Sequence, residues 1–314
     1  MCIGMASPDL EDIAASARRL EQRGARGVSP HFAARILHNM PAGLVAIRLR
    51  CRGPNHAASP ACAPGAHAIG DALRLLRAGA ADAAFCGAAD AGISPLAVAG
   101  FSQMRALSVR SNAAPAEASR PFDAARDGFV MSEGAGVLLL ETLEHARRRR
   151  ARPVAELLGC GLSGDARHVT APCEDGDGAR RAMTAAMHDA GVTPAQVTHV
   201  NAHATGTPLG DRAELGAVAA LLDGSQPLVT SCKGALGHLL AAAGAVETAV
   251  TALSCQHGLV PPTANLTHPE SAAGVRLVAP RPALWRADAR RVALKNSFGF
   301  GGTNTSLCLA EFVE

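Results

Sequence analysis

From residue 66 onward the chain alternates between two textures, short apolar runs and longer stretches whose apolar positions recur every three to four residues, with glycine at many of the joints. A short apolar run fits a buried strand and the longer period fits a helix. A chain that repeats strand then helix builds layers around a sheet rather than a helical bundle, so the order predicts an α/β fold. Residues 66–78 (AHAIGDALRLLRA) predict a helix closing near Gly79, and residues 83–86 a short buried strand ending at Gly87. The run 134–141 (GAGVLLLE) predicts a strand, and 142–150 a helix. A second round starts at Val154 with a strand and turn (VAELLGCGLSG), then a helix over 178–190 stopped by Gly191. Strands over 197–201 and 228–230 flank a helix over 211–222, and one helix of small residues runs through Leu253. Residues 292–296 and 306–310 flank a glycine-rich loop and predict a hairpin. Two strand–helix halves, 1–152 and 153–314, follow from this order, without a visible repeat between their sequences.

Several function classes are disfavoured by composition. Hydrophobic residues at 48% and charged residues at 18% suit a chain that buries a core, not a disordered one. The dense basic run 147–150 follows Glu141 and Glu144, where a solvated helix end is the plain reading. Aromatics at 3%, with no tyrosine, offer little for bases to stack on, so no nucleic-acid partner is expected. Nine cysteines without a CxxC pair argue for a reducing compartment and against a zinc site; no metal is expected. The longest apolar stretch, 239–253, is interrupted by Glu247, so no membrane span is expected. The N-terminus carries neither a signal-peptide nor a transit-peptide pattern.

Four segments carry candidate chemistry. In AASPACAPG (57–65), Cys62 precedes a helix beginning about Pro64, a place where unpaired N–H groups favour a thiolate. Taken alone, Cys62 is more simply one buried cysteine among nine. NAHATGTPLGD (201–211) puts His203 at a strand end that opens into a loop, where α/β proteins hold ligands. SCKGALGHLLAAAG (231–244) sets Lys233 and His238 five residues apart at a glycine-interrupted helix start. NSFGFGGTN (296–304) can expose backbone N–H groups as an anion nest or move as a flap.

Together, in this order, these segments resemble the β-ketoacyl-acyl-carrier-protein synthases of the thiolase-like fold. SPACAPGAH (59–67), SRPFDAARDGFVMSEGAG (119–136), NAHATGTPLGD, CKGALGHLLAAAGAVE (232–247) and NSFGFGGTN carry the resemblance across the chain. Within the family, GPNHA (53–57), GISPLAVAGFS (92–102) and GLSGDARHVTAP (161–172) are most similar to the mitochondrial 3-oxoacyl synthases. The resemblance implies duplicated α/β/α/β/α layers and an acyltransferase of fatty acid elongation, a mitochondrial or otherwise cytoplasmic location, and a homodimer built around residues 55–59. It implies an acyl carrier protein as partner, acyl and malonyl thioesters as substrates, and no cofactor beyond the phosphopantetheine that the carrier brings. By the same resemblance Cys62 is the nucleophile, and the backbone N–H groups of Cys62 and Phe300 form the oxyanion hole. His203 and His238 assist decarboxylation, Lys233 and Glu247 support the site, Thr205 and Thr207 contact pantetheine, and Phe298 and Phe300 gate the acyl pocket.

Departures from the family pattern raise further expectations. Ala63-Pro64 follow the nucleophile where hydroxyl residues are usual, and Leu236 stands where threonine is usual, an exchange expected to alter the aim of His238. Ala204 and Gly206 replace a frequent glycine and serine. The family carries roughly a hundred further residues before the region matching Met1, the size of a small domain. The first elements of the N-terminal half are therefore expected to be missing, leaving an open sheet edge. The alternatives are a non-catalytic truncated form dependent on a partner chain, or a polyketide-type ketosynthase. The thiolases are disfavoured by His238 following Lys233.

Overall fold

The computed structural model describes residues 1–270, 274–286 and 289–314. The N-terminal half contains β1 (Cys2–Gly4), α1 (Leu10–Arg23), α2 (Phe32–Arg35), α3 (Met40–Leu49) and α4 (Pro64–Arg77), then β2 (Ala83–Asp90), α5 (Pro95–Gln103), β3 (Gly134–Glu141) and α6 (Leu143–Arg148). Its sheet has the order β1-β2-β3, with β1 parallel and β3 antiparallel to β2. Local chemistry sets several of these boundaries. Asp9 caps α1 by accepting from the N–H groups of Glu11 and Asp12, and Pro64 occupies the first turn of α4.

The second half contains β4 (Glu156–Gly164), α7 (Asp177–Ala190), β5 (His199–Asn201), α8 (Pro208–Leu221), β6 (Leu228–Thr230), α9 (Lys233–Leu236) and α10 (Ala243–His257). It closes with β7 (Leu259–Val260), β8 (Arg276–Leu277), β9 (Ala283–Leu284), β10 (Val292–Gly299) and β11 (Thr303–Ala310). The sheet order is β4-β11-β10-β5-β6-β8; β11 is antiparallel to both neighbours, and β10, β5, β6 and β8 run parallel. β7 and β9 form a separate two-stranded ladder.

The two sheets share a design. Each holds an antiparallel pair, β2–β3 or β10–β11, whose first strand is extended in parallel by β1 or β5. Helices α4 and α10 pack against each other and against strands of both sheets. Their crossing is close because it is made at glycines: a Cβ on Gly65 would stand 2.7 Å from the Ala245 nitrogen, and one on Gly244 would stand 2.7 Å from that of Ala66. Ile69, Leu73 and Leu76 of α4 enter one core with Leu307, Leu309 and Trp285. Met183 and Met187 of α7 and Leu215 and Val218 of α8 cover Val200, Leu294 and Cys308 in a second.

The halves differ at one edge. β11 is paired on its outer side by β4, whereas β3 meets no further strand among the described residues. Val137 and Leu139 of β3 are 50% and 42% exposed.

Most predicted elements are present, with instructive differences. β2 continues through Gly87 to Asp90, and β4 remains a strand to Gly164 where a turn was expected, because β3 and β11 pair with them along their whole lengths. The single helix expected through Leu253 is broken into α9, a 3-10 turn at Leu240–Ala242, and α10. At the break Gly237 takes a φ of +68°, and the backbone of His238 bonds across to Val130 and Ser132. α8 begins at Pro208, since the side chain of Asp211 turns inward to bond the preceding loop. The basic run 147–150 lies on the surface, with Arg148 and Arg149 paired to Glu144 and Glu141.

Candidate active site

Cys62 lies in a tight turn, with the Ala63 N–H donating to the Pro60 carbonyl at 3.0 Å and Ala61 in the left-handed region at φ +49°. For alanine that conformation costs about 1 kcal/mol, held here by the packed elements on either side. The β10–β11 loop presses on this turn. A Cβ on Gly299 would stand 2.6 Å from the Pro60 carbonyl oxygen and 3.1 Å from the Cys62 nitrogen, so only glycine admits the approach.

Cys62 lines a cavity of about 580 Å³ together with His203, His238, Thr205, Thr207, Phe298 and Phe300. Residues predicted from four separate segments thus meet in one space. His203 follows β5, and its backbone is fixed by α8: Glu214 accepts from the N–H groups of His203 and Ala204 at 2.8 and 2.7 Å. Asp211 accepts from the Gly206 N–H and, at 2.9 Å, from the Phe122 N–H. Burial pushes the Asp211 carboxyl up to about 7 against the pull of these groups and Arg126.

His238 is held by its own backbone, its N–H donating to the Val130 carbonyl at 2.7 Å and its carbonyl accepting from the Ser132 N–H at 3.0 Å. Its ring meets Phe129 edge-on at 5.4 Å and His203 at 5.3 Å between centroids, and Phe298 packs on His203 at 5.6 Å. Leu236 is exposed, so this residue does not aim His238; the 130–132 segment and Phe129 do. The Nδ1 atoms of both histidines are buried without a partner, which leaves Nε2 as the nitrogen each ring offers to the cavity. Burial pushes both imidazoles well below the usual histidine range, and the nearby charges of Lys233 and Lys295 push the same way.

Behind the rings, Glu247 joins two buried lysines, its Oε1 2.6 Å from the Lys233 Nζ and its Oε2 2.8 Å from the Lys295 Nζ. Thr205 and Thr207 bring their hydroxyls within 3.2 Å of each other on the cavity wall. Among the described residues no cluster of three or more potential metal ligands occurs.

One expectation is corrected. The place of Cys62 before α4 suggested a stabilised thiolate, yet burial pushes the thiol up to about 11. Lys233 and the Phe300 N–H favour the thiolate, while Asp90 opposes it. Ala63, at the N-cap position of α4, supplies no side-chain hydrogen bond, and desolvation of the thiol outweighs the helix terminus. The balance at Cys62 therefore favours the thiol. Sequence reasoning also missed Phe129, Asp211, Glu214 and Lys295. Only Lys295 left a usable signal, a lysine inside the apolar strand VALKN.

Comparison with known proteins gives both halves the same kinship. Residues 1–146 match the profile of the β-ketoacyl synthase N-terminal domain, and residues 154–267 match that of the C-terminal domain. A 3-oxoacyl-[acyl-carrier-protein] synthase 2 of Rhizobium meliloti (strain 1021) is 49% identical over 99% of this chain and 73% of its own length. The mitochondrial 3-oxoacyl-[acyl-carrier-protein] synthase of Arabidopsis thaliana is 47% identical over 95% of this chain and 65% of its own. Among solved structures, a β-ketoacyl synthase from Burkholderia phymatum STM815 superposes with a TM-score of 0.92 at 34% identity, over 99% of this chain and 74% of that one. A type II polyketide ketosynthase in complex with its acyl-carrier protein gives 0.90 at 30% identity, over 99% and 78%. Sequence and fold agree over nearly all of these residues: the chain belongs to the β-ketoacyl synthase family.

Proposed function

We propose that this chain catalyses the decarboxylating condensation of an acyl thioester with a malonyl thioester, both carried on acyl carrier protein, in fatty acid chain elongation. The observation that carries the reading is the meeting of Cys62, His203 and His238 in one cavity, with the Phe300 N–H facing the sulfur. The relatives named as 3-oxoacyl-acyl-carrier-protein synthases support it.

In the first step the Cys62 sulfur attacks the acyl carbonyl, its proton passes to the departing pantetheine sulfur, and an acyl-Cys62 thioester forms. The tetrahedral oxyanion is stabilised by the N–H groups of Cys62 and Phe300. In the second step malonyl thioester loses carbon dioxide, and the electrons of the broken C–C bond form an enolate. The enolate oxygen accepts hydrogen bonds from Nε2–H of His203 and His238, a role that neutral imidazoles fill when the ring proton sits on Nε2. The enolate carbon attacks the acyl-Cys62 carbonyl, and collapse expels the sulfur, which takes up a proton. The product is a β-ketoacyl thioester two carbons longer.

Lys233 and Glu247 hold the charge behind the rings, Thr205 and Thr207 receive the pantetheine arm, and Phe298 with Phe300 gates the pocket between the two steps. The reaction uses no metal or organic cofactor, since phosphopantetheine arrives with the substrate. Residues 1–152 act as the nucleophile half and 153–314 as the histidine half, in a homodimer built about residues 55–59. The relatives named mitochondrial support a mitochondrial setting, and the bacterial ones a cytoplasmic setting. The deciding experiment incubates the folded chain with acyl- and malonyl-carrier protein and follows the protein by mass spectrometry. Expected are an acyl adduct at Cys62 and an elongated β-ketoacyl product, both lost in Cys62→Ala; a folded chain that gains no adduct overturns the reading.

A further inference from the structure

We propose that Lys295, on β10 behind the gating loop, is a positioning residue whose ammonium completes the buried Lys233–Glu247 charge set behind His203 and His238 on which condensation depends; this rests on the reading above. The geometry is unusual for a strand lysine. Its side chain is fully buried, and its Nζ lies 2.8 Å from Glu247 Oε2, donates to the Asn296 carbonyl, and reaches Ser297 Oγ at 3.2 Å. A lysine this deep persists only where oxygens replace its hydration shell.

The buried charges form a balanced set. Lys233 and Lys295 face Glu247 between them, while Glu214 binds the His203 loop and the Asn296 amide, the latter at 3.0 Å. Two ammoniums thus stand against two carboxylates. Burial lowers the affinity of Lys295 for its proton and Lys233 adds to this, while Glu247 and, less strongly, Glu214 oppose it. Both histidine rings feel Lys233 and Lys295, and His203 also feels His238. Cys62, Arg105, Asp165 and Asp211 line the same cavity. Removing the Lys295 charge would leave one ammonium against two carboxylates, and the imidazoles would bind protons more readily. An imidazolium at rest would pair with the malonyl carboxylate and stabilise it against loss of carbon dioxide, which a neutral donor does much less.

Lys295 also ties chemistry to gating. It precedes Asn296, Ser297 and Phe298 on the strand that delivers the Phe298–Phe300 loop, and it pairs in the sheet with Asn201, two residues before His203. Lys295 thereby joins the histidine strand through its backbone pairing and α10 through its side chain, on the strand that carries the gating loop.

The test compares the parent chain, Lys295→Met, and the charge-balanced double variant Lys295→Met/Glu214→Gln. In each, the titration of His203 and His238 is followed by NMR with ¹³C-labelled histidine, alongside acyl loading of Cys62 and the pH profile of condensation. Lys295→Met is expected to titrate both histidines at higher pH than the parent and to lose proportionally more condensing rate at pH 6 than at pH 8. Acyl loading should persist, because Lys295 is not among the groups that set the Cys62 thiol. The double variant should return the histidine titrations toward the parent, and it carries the test if the single variant does not fold. Unchanged titrations in a folded variant, or a loss of rate equal at every pH, overturn the proposal. Failure of the parent to load Cys62 would instead strike the proposed function, leaving the titration result to be read by itself.

Discussion

Two opposing forces meet at Cys62. The start of α4 and the Phe300 N–H favour a thiolate, and burial in the cavity wall favours the thiol. With the thiol pushed up to about 11, burial wins. Alkylation of Cys62 by iodoacetamide is therefore expected to rise about tenfold per pH unit from pH 7 to 9, tracking the thiolate fraction; a plateau reached by pH 8 would contradict this. Cys62, His203 and His238, which the structure brings to one cavity, could each be singled out in the sequence because each belongs to a motif with its own local order. Phe129, Glu214 and Lys295 were not, because their roles come from distant segments: Glu214 matters through the turn of α8 toward His203, and Lys295 through an ion pair with a helix 48 residues earlier in the chain.

At the scale of elements, the α4–α10 crossing decides where Cys62 stands relative to the histidines. Gly244→Ala would put a methyl group 2.7 Å from the Ala66 nitrogen and 2.8 Å from Ser297 Oγ. The expected result is a stability loss of ~1–3 kcal/mol by urea unfolding, with a larger proportional fall in condensation than in stability, since α4 follows directly on the Cys62 turn. The junction of β3 and α6 offers a pH test. Arg149 and His145 bond Glu141 and hold its carboxyl down to about 2. A depressed carboxylate stabilises the fold above its unfolded value, near 4.5, and that contribution is lost as pH falls through about 2. Because Arg149 is half exposed, Glu141→Gln is expected to cost only ~1 kcal/mol at pH 7, a difference that melting curves should show closing near pH 2. Element positions were largely legible: β3 and α7 fall within a residue of their predicted bounds, since strand run and helical period were both uninterrupted. The α9–α10 region was not, because its composition permits one helix and only the capture of His238 by the 130–132 segment breaks it.

Across the whole molecule, the two halves place matching elements around a shared pair of helices but finish their sheets differently. The C-terminal sheet continues past β11 to β4; the N-terminal sheet stops at β3 among the described residues, with Val137 and Leu139 open beside unpaired backbone groups. An edge of that kind invites pairing with another chain unless a charge interrupts it. Leu139→Lys should therefore leave the dilute protein's melting temperature nearly unchanged while lowering light scattering at high concentration; equal scattering from both proteins would remove this role for the edge. The exposed strand is felt most while the chain is still folding. Reaching the native state is a first-order event for each molecule, whereas edge-to-edge pairing is second order, so the competition between them is set by concentration. Recovery after dilution from denaturant should therefore fall steadily as the concentration of this chain is raised.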